Sequence, residues 1–165
     1  MYQPLLRTVV QIALETLDDA IIELTGATAE LRELARGIHP AVLSDGGLAP
    51  ALSALVERSQ PRAKLRAAPS ERMAPAVEAT AYFVVAEALT NATRHAAGKQ
   101  LDVVAELRDG SLHVEVSDDG VGGADAGGGS GLRGLVDRVA AIGGELEIAS
   151  PPGEGTVLRA RIPCE

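Results

Sequence analysis

The sequence predicts an α+β fold, a two-layer sandwich in which helices cover one face of a mixed β-sheet. Helical periodicity dominates the first part of the chain, and alternating apolar and polar residues dominate from about residue 101 onwards. The alternating segments are joined by hairpin-type turns, of which Asp109-Gly110 is the clearest. We also expect a long helix to precede this sandwich.

The long helix is predicted from the first third of the chain. Apolar residues recur there at spacings of four and three, which is the seam of a coiled coil or a helical bundle. At 1.5 Å per residue the segment 10–38 is roughly 42 Å long, more than one small domain needs for its own core. A helix that packs only on its own domain is the alternative, because Thr28 and Ala35 weaken the seam and Gly26 interrupts it. The seam positions are Val10, Leu14, Leu17, Ile21, Leu24, Thr28, Leu31, Ala35 and Ile38.

The remaining elements are predicted from the positions of proline and glycine and from the spacing of the apolar residues. Pro40 ends the long helix, Pro50 lies in the first turn of the next helix, and Gly98 closes a third. A Pro-Pro-Gly turn separates the last two strands. The expected elements are helices over 48–59, 74–97 and 132–142 and strands over 63–67, 101–107, 112–117, 145–149 and 156–162.

Composition excludes several classes of protein. The formal net charge is −8 and no cluster of Lys and Arg appears, so nucleic acid is not an expected partner. The single cysteine, Cys164, excludes an intramolecular disulfide and a cysteine-rich metal site. No run of about 18 uncharged apolar residues and no signal-peptide pattern are present, so we expect no membrane span in this segment and a cytoplasmic location.

A polar stripe interrupts the otherwise apolar helix over 74–97. Glu87, Asn91, Arg94 and His95 fall within roughly a 100° arc at 3.6 residues per turn. Burying a carboxylate and an amide without partners is unfavourable by several kcal/mol, so the stripe is expected to line a wet cleft or meet a ligand. A stripe that simply faces solvent at the end of the helix is the alternative.

Two glycine-rich stretches follow this helix. Residues 118–123 place the pair Asp118-Asp119 at the end of an apolar strand, ahead of glycines that permit positive φ and close approach to a ligand. Residues 127–134 lead into a helix, whose free N–H groups could hold phosphates. A flexible loop is the alternative for the second stretch, which matches neither the Walker A pattern nor a dinucleotide fingerprint.

In this order, the motifs resemble the GHKL (Bergerat) nucleotide-binding fold, shared by histidine kinases, Hsp90-type chaperones, type II topoisomerases and mismatch-repair proteins. Glu87-Ala-Leu-Thr-Asn91 is similar to the N box, Asp118-Asp-Gly120-Val-Gly122 to the G1 box, and Gly129-Ser-Gly131-Leu132 to the G2 box. Gly155-Thr156 resembles the threonine turn in the last strand pair. The resemblance covers about residues 75–162.

The subfamily that the chain resembles is the sensor histidine kinases that pair with LuxR-like response regulators. Ala35-Arg-Gly-Ile-His39-Pro is similar to the linker of those kinases, and residues 131–144 are similar to their closing pattern. The resemblance implies two parts, a helical remnant of the dimerisation and phosphotransfer region over residues 1–43 and an ATP-binding catalytic domain over residues 44–165. It implies a LuxR-like response regulator as partner of the full kinase, and we expect homodimers through residues 10–38.

The resemblance also implies a role for each motif residue, with ATP and Mg²⁺ as cofactors. Asn91 would coordinate Mg²⁺, a hard-cation task suited to an amide oxygen. Glu87 would act as the base or polariser for the attacking group, or would hold a metal-bound water. Asp118 would accept a hydrogen bond from the adenine amino group. Gly120 and Gly122 would let the backbone approach the base and ribose.

The same comparison implies the remaining contacts to ATP. Gly129 and Gly131, followed by Leu132, would frame the phosphates. Arg94 and His95 would offset the phosphate charge. Thr156 would join the adenine network through water.

The chain departs from the family pattern at its histidines. A phosphoacceptor histidine is followed by an acidic residue, whereas His39, His95 and His113 precede Pro, Ala and Val. We therefore expect phosphoryl transfer to a histidine that this chain does not contain. Two alternatives stay open at this point, a serine kinase and binding module of the anti-sigma-factor type and a non-catalytic module that dimerises and senses nucleotide.

Overall fold

The computed structural model describes residues 41–59, 63–95, 100–123 and 130–164, except for the side chains of Ala41, Arg94, His95 and Ser130. These residues belong to one compact unit, which runs from Pro40 to Glu165. The predicted long helix, its seam over 10–38 and the helix end at Gly98 lie outside the described residues. The division of the chain at residues 43 and 44 stays a prediction.

Four helices and five strands make up the described part of the chain. They agree with the predicted elements to within two residues, except that the first helix was not predicted as a separate element. In chain order they are α1 (Ala41–Gly46), α2 (Leu48–Arg58), β1 (Ala63–Ala67), α3 (Pro75–His95), β2 (Leu101–Arg108), β3 (Ser111–Asp118), α4 (Ser130–Ala140), β4 (Glu145–Ala149) and β5 (Thr156–Pro163).

The strands form one mixed sheet in the order β1-β2-β3-β5-β4. The β1–β2 pair is parallel, and the other three pairs are antiparallel. The hairpin between β2 and β3 turns at Asp109 and Gly110, both of which have positive φ, as a tight hairpin turn requires. The α+β class with a mixed sheet is confirmed.

Side chains alternate across the sheet, so one face is apolar and packs under the helices. Leu101, Val103, Val114, Leu158 and Ile162 are at most 3% exposed on that face. Helix α3 supplies the other half of the core through Val77, Ala81, Val84, Val85, Ala88, Leu89 and Ala92. The core is therefore aliphatic, and α3 lies across its centre.

Helix α1 is held to the start of α3 by a buried ion pair. Glu78, in the first turn of α3, is fully buried and accepts hydrogen bonds from Arg72 Nε at 3.0 Å and from Arg72 Nη2 at 3.2 Å. The same guanidinium donates to Leu43 O at 3.1 Å, within α1. Met73 N also donates to Glu78, at 3.0 Å. This arrangement, the Arg72–Glu78 clasp, fastens the polypeptide before α2 to the helix that carries the polar stripe.

Candidate functional site

The first two residues of the polar stripe lie on α3 and are partly covered. Glu87 and Asn91 are half-buried and stand one helical turn apart, and each is followed by a buried alanine, Ala88 and Ala92. These two side chains are therefore neither fully buried nor fully exposed. Arg94 and His95 lie in the last turn of α3, and their side chains are outside the described residues.

Gly131, in the first turn of α4, packs directly against Glu87. A Cβ built on Gly131 would lie 3.1 Å from Glu87 Cδ and would overlap Glu87 Oε1. The absence of a side chain at Gly131 thus allows the two helices to approach at the carboxylate. Leu132, the next residue, is half-buried and packs on the core, and Gly129 lies outside the described residues.

A second contact fixes α4 on α3, one turn of α3 before Glu87. The Arg138 guanidinium lies 4.5 Å from the centre of the Phe83 ring, a cation–π geometry. Phe83 in turn meets Tyr82 edge to face, with 5.8 Å between ring centres. The later part of α4 is thereby held against α3 as well.

Asp118 ends β3 and organises the first glycine-rich turn. Its Oδ1 accepts a hydrogen bond from Gly120 N at 2.8 Å, the geometry of an Asx turn. Gly122 has φ of 62°, and a Cβ there would overlap Pro151 O and lie 2.9 Å from Gly155 O. Only glycine combines this backbone with so close an approach, so the turn after Asp118 is packed against another backbone segment.

That other segment is the β4–β5 turn, residues 150–155. Gly123 N donates to Ser150 O at 2.9 Å, and Gly153 N donates to Val121 O at 2.7 Å. Gly155 has φ of 79°, and a Cβ there would overlap Asp118 O. The two glycine turns at this end of the sheet therefore form one interlocked unit.

Thr156 stands directly opposite Asp118, because these residues are partners in the β3–β5 register. Side chains alternate between the two faces along a strand, so those of Asp118 and Thr156 lie on the helix-bearing face of the sheet, as do Val116 and Leu158. Thr156 Oγ1 is 2.8 Å from Ser150 Oγ. Ser150 was not predicted as a site residue, although a serine just before a Pro-Pro-Gly turn and six residues ahead of Thr156 is placed to face it across a hairpin.

The opposite face of the sheet carries paired charges. Arg159 donates to Glu115 at 2.7 Å, and Arg161 lies 3.8 Å from Glu145. A cavity of about 460 Å³ lies among these residues, and it includes His113. Its lining contains none of the residues predicted to bind nucleotide.

Residues 41–59, 63–95, 100–123 and 130–164 contain no group of three or more His, Cys, Asp or Glu side chains arranged to hold a metal ion. Within the same ranges, no helix combines the length and the apolar character needed to cross a membrane.

Comparison with known proteins identifies the fold. A family model described as "Histidine kinase-, DNA gyrase B-, and HSP90-like ATPase" matches residues 76–165. The histidine kinase domain of the blue-light activated histidine kinase from Erythrobacter litoralis EL346 has a similar structure, with a TM-score of 0.55 and 27% sequence identity. That match covers 62% of this chain and 51% of the solved chain.

Curated relatives are also named as histidine kinases. Sensor histidine kinase MctS of Rhizobium johnstonii is 36% identical over 168 residues, which are 95% of this chain and 36% of that protein. An uncharacterized sensor-like histidine kinase of Chloroflexus aurantiacus is 30% identical over 93% of this chain and 28% of its own length. The chain thus spans about a third of the length of these relatives. It belongs to the histidine kinase-, DNA gyrase B- and HSP90-like ATPases, and residues 76–165 form its ATPase domain.

Proposed function

We propose that this domain binds Mg·ATP between α3, the start of α4 and the interlocked glycine turns, and that it transfers the γ-phosphoryl group to a histidine outside this chain. The contact between Glu87 and Gly131 carries the proposal. Glu87 belongs to the motif that resembles the N box. The contact places it against the first turn of α4, the helix that follows the second glycine-rich stretch. A catalytic acid and a phosphate-binding helix end are thereby neighbours.

The phosphates are assigned to the end of the site near α4. The first N–H groups of an α-helix have no partner within the helix, and they favour anions together with the helix dipole. Gly131 leaves room at this point, and we assign Gly129 and Leu132 to the same phosphate-binding segment. Arg94 and His95, in the last turn of α3, are assigned to offset the phosphate charge.

Magnesium is assigned to Asn91. Mg²⁺ keeps most of its waters and usually takes one or two protein oxygens together with substrate phosphates, so it does not need a cluster of acids. An amide oxygen at Asn91, one turn from the Glu87 carboxylate, fits that requirement. The ion would neutralise phosphate charge. Glu87 would polarise the attacking group, and the rest of the rate enhancement would come from positioning.

Adenine is assigned to the end of the site near Asp118. The Asx turn uses Asp118 Oδ1 for Gly120 N, and the carboxylate retains further acceptor capacity for the adenine amino group. Thr156, its register partner, is assigned to the same network through water. Gly120 and Gly122 give the base and ribose access to backbone.

The partners are proposed from the sequence motifs. The linker-like motif at residues 35–40 supports a response regulator with a LuxR-like output domain as partner of the full kinase. The apolar seam over 10–38 supports homodimers, with residues 1–43 as the helical part and residues 44–165 as the catalytic domain. We propose a cytoplasmic location for this domain, where ATP is available.

The proposal is tested by isothermal titration of the full 165-residue chain with Mg·ATP. We expect Asn91→Ala and Asp118→Asn to abolish measurable binding, because they remove the metal ligand and the adenine acceptor. Asp119→Asn is the matched control, since Asp119 is the exposed neighbour of Asp118 and has no assigned contact. Unchanged affinity in both site variants would refute the proposal.

Phosphoryl transfer needs a separate assay. The chain is incubated with γ-labelled ATP and a helical segment that carries the phosphoacceptor histidine of a sensor histidine kinase. We expect label on that segment that is lost in acid, as phosphohistidine is, and no label on the chain itself. Acid-stable label on a serine-containing substrate would instead support a serine kinase.

A further inference from the structure

A row of four residues crosses the sheet at the nucleotide end. Leu101, Asp118 and Thr156 are register partners on β2, β3 and β5. Ser150 extends the row by one position, because the preceding pair in the β4–β5 register is Ala149 with Val157. Ser150, Thr156 and Asp118 therefore lie side by side on the helix-bearing face.

Ser150 joins the two turns of the site with different atoms. Its hydroxyl lies 2.8 Å from Thr156 Oγ1, and either oxygen can donate in that pair. The same hydroxyl lies 3.4 Å from Gly155 O. Its carbonyl accepts a hydrogen bond from Gly123 N at 2.9 Å, in the turn that follows Asp118. Ser150 is thus in contact with both segments that would enclose the base.

The Ser150–Thr156 bond limits what Thr156 can offer to a ligand. A hydroxyl carries one proton and two acceptor sites, so a fixed neighbour decides in which direction the remaining donor or acceptor sites point. Adenine and guanine present opposite donor and acceptor patterns at adjacent ring positions, an amino donor next to an acceptor nitrogen in adenine and the reverse in guanine. A Thr156 hydroxyl held in one orientation can discriminate between them, and a freely rotating one adapts to both.

We infer that Ser150 is a positioning residue that orients the Thr156 hydroxyl and thereby contributes to the selection of adenine over guanine. This inference rests on the proposed function of the Asp118 end of the site. Ser150 itself is not placed in contact with the nucleotide. Its effect passes through Thr156, so its removal should matter only while the Thr156 hydroxyl is present.

The test compares Mg·ATP and Mg·GTP affinities of the full chain by titration. Loss of the hydrogen bond that orients Thr156 leads us to expect Ser150→Ala to lower the ATP-to-GTP affinity ratio by roughly threefold to tenfold. Ser150→Thr keeps the hydroxyl and should retain the ratio, and Ser150→Cys provides a second hydroxyl-free variant should the alanine variant fail to fold. Ser117→Ala is the matched control, because Ser117 is next to Asp118 but points to the other face of the sheet.

A double variant separates positioning from a merely structural role. Thr156→Val removes the hydroxyl at nearly constant shape, and adding Ser150→Ala to it should leave the ratio where Thr156→Val alone puts it. Thermal unfolding of each variant is measured alongside. A Ser150→Ala protein with a lower unfolding temperature but the unaltered ratio, or an equal drop in the Thr156→Val background, would overturn the inference. If the unaltered chain binds no Mg·ATP, the proposed function is overturned as well. If the unaltered chain binds Mg·ATP, a negative result for the Ser150 variants overturns only the inference about Ser150.

Discussion

Gly131 in α4 lies so close to Glu87 in α3 that a Cβ at residue 131 would overlap the carboxylate oxygen Oε1 where it now stands. The relationship joins two motifs that are more than forty residues apart in the chain. The close contact is a reason for glycine at residue 131, in addition to the proposed access for phosphates. The glycine allows a helix N-terminus and an acid to share one small space.

The contact predicts the effect of Gly131→Ala. In a helix without such a contact, glycine to alanine stabilises by up to about 1 kcal/mol. Here the added methyl group meets Glu87 Oε1, the far end of a flexible side chain, so the carboxylate must turn away and part of that gain is lost. We expect a free energy of unfolding in urea close to that of the original chain and, because the Glu87 carboxylate is displaced, a weaker affinity for Mg·ATP.

Shortening the acid should relieve that overlap. Glu87→Asp in the Gly131→Ala background is expected to recover part of the lost affinity, and Asp137→Asn on an exposed part of α4 should change neither stability nor affinity. A Gly131→Ala chain with unchanged Mg·ATP affinity would contradict the proposed role of this contact.

The β4–β5 turn contains a natural pair for comparison, Gly153 and Gly155. Both have positive φ, 85° and 79°, so alanine at either position is strained by the backbone alone. A Cβ at Gly153 meets nothing within 4 Å, whereas one at Gly155 overlaps Asp118 O. We expect Gly155→Ala to be the more destabilising variant by at least about 1 kcal/mol, as overpacking implies.

The same pair should differ in nucleotide binding. Displacement of the Asp118 backbone is expected to weaken Mg·ATP affinity in Gly155→Ala, while Gly153→Ala retains most of it. Equal losses of stability and affinity in the two variants would contradict the proposed packing of the turn on Asp118. Titration and urea unfolding on the same preparations supply both comparisons.

The Arg72–Glu78 clasp predicts an unusually large effect for a half-exposed arginine. Arg72→Gln leaves the fully buried Glu78 carboxylate without its cation, and breaking a buried pair from one side destabilises by about 3–5 kcal/mol. Because the Arg72 side chain is 53% exposed, we expect the lower end of that range. Chemical denaturation measures the loss.

Arg159 is the matched control for Arg72. It is similarly exposed, at 55%, but its partner Glu115 is 42% exposed, so Arg159→Gln should change stability by about 1 kcal/mol or less. Replacing both members of the clasp, Arg72→Gln with Glu78→Gln, should be less harmful than Arg72→Gln alone. Equal effects of Arg72→Gln and Arg159→Gln would mean that burial of Glu78 does not matter.

The carboxylate of Asp102, on β2, leads to a prediction about the pH dependence of stability. The hydrogen bond from Arg66 Nε, 2.8 Å long, is the main reason that the pKa of Asp102 is held below its ordinary value of 3.8. A lowered folded-state pKa contributes stability above pH 3.8, and that contribution is lost as the pH falls through the folded-state value. We expect Arg66→Gln to raise the pKa of Asp102. NMR titration of the Asp102 carboxyl carbon measures that pKa.

The same titration contains its own control. Arg159→Gln removes a guanidinium on a different strand and should leave the pKa of Asp102 where it was. The stability difference between Arg66→Gln and the original chain should shrink as the pH falls below 3.8, because protonated Asp102 no longer gains from the cation. A pKa that does not respond to Arg66→Gln would contradict this account.

Much of the fold could be predicted because it depends on local periodicity. The 3.6-residue period of α3 and the alternation along β2 and β3 are properties of short hydrogen-bonded segments, so they are visible in the sequence. Helix α1 was not predicted as a separate element. Its six residues are too few for a periodic signal, and Leu43 is held by burial in the core and by the carbonyl contact with Arg72.

The sequence by itself determined which residues are the candidates for the chemistry and their order along the chain, namely Glu87 and Asn91 one turn apart, Asp118 at a strand end and glycines around it. Only the tertiary structure decided that β5 lies beside β3, which sets Thr156 against Asp118 and Ser150 against Thr156. It also decided that Gly131 meets Glu87. The physical reason is that period and turn chemistry act over a few neighbouring residues, whereas strand order and helix packing depend on how the whole chain buries its apolar surface.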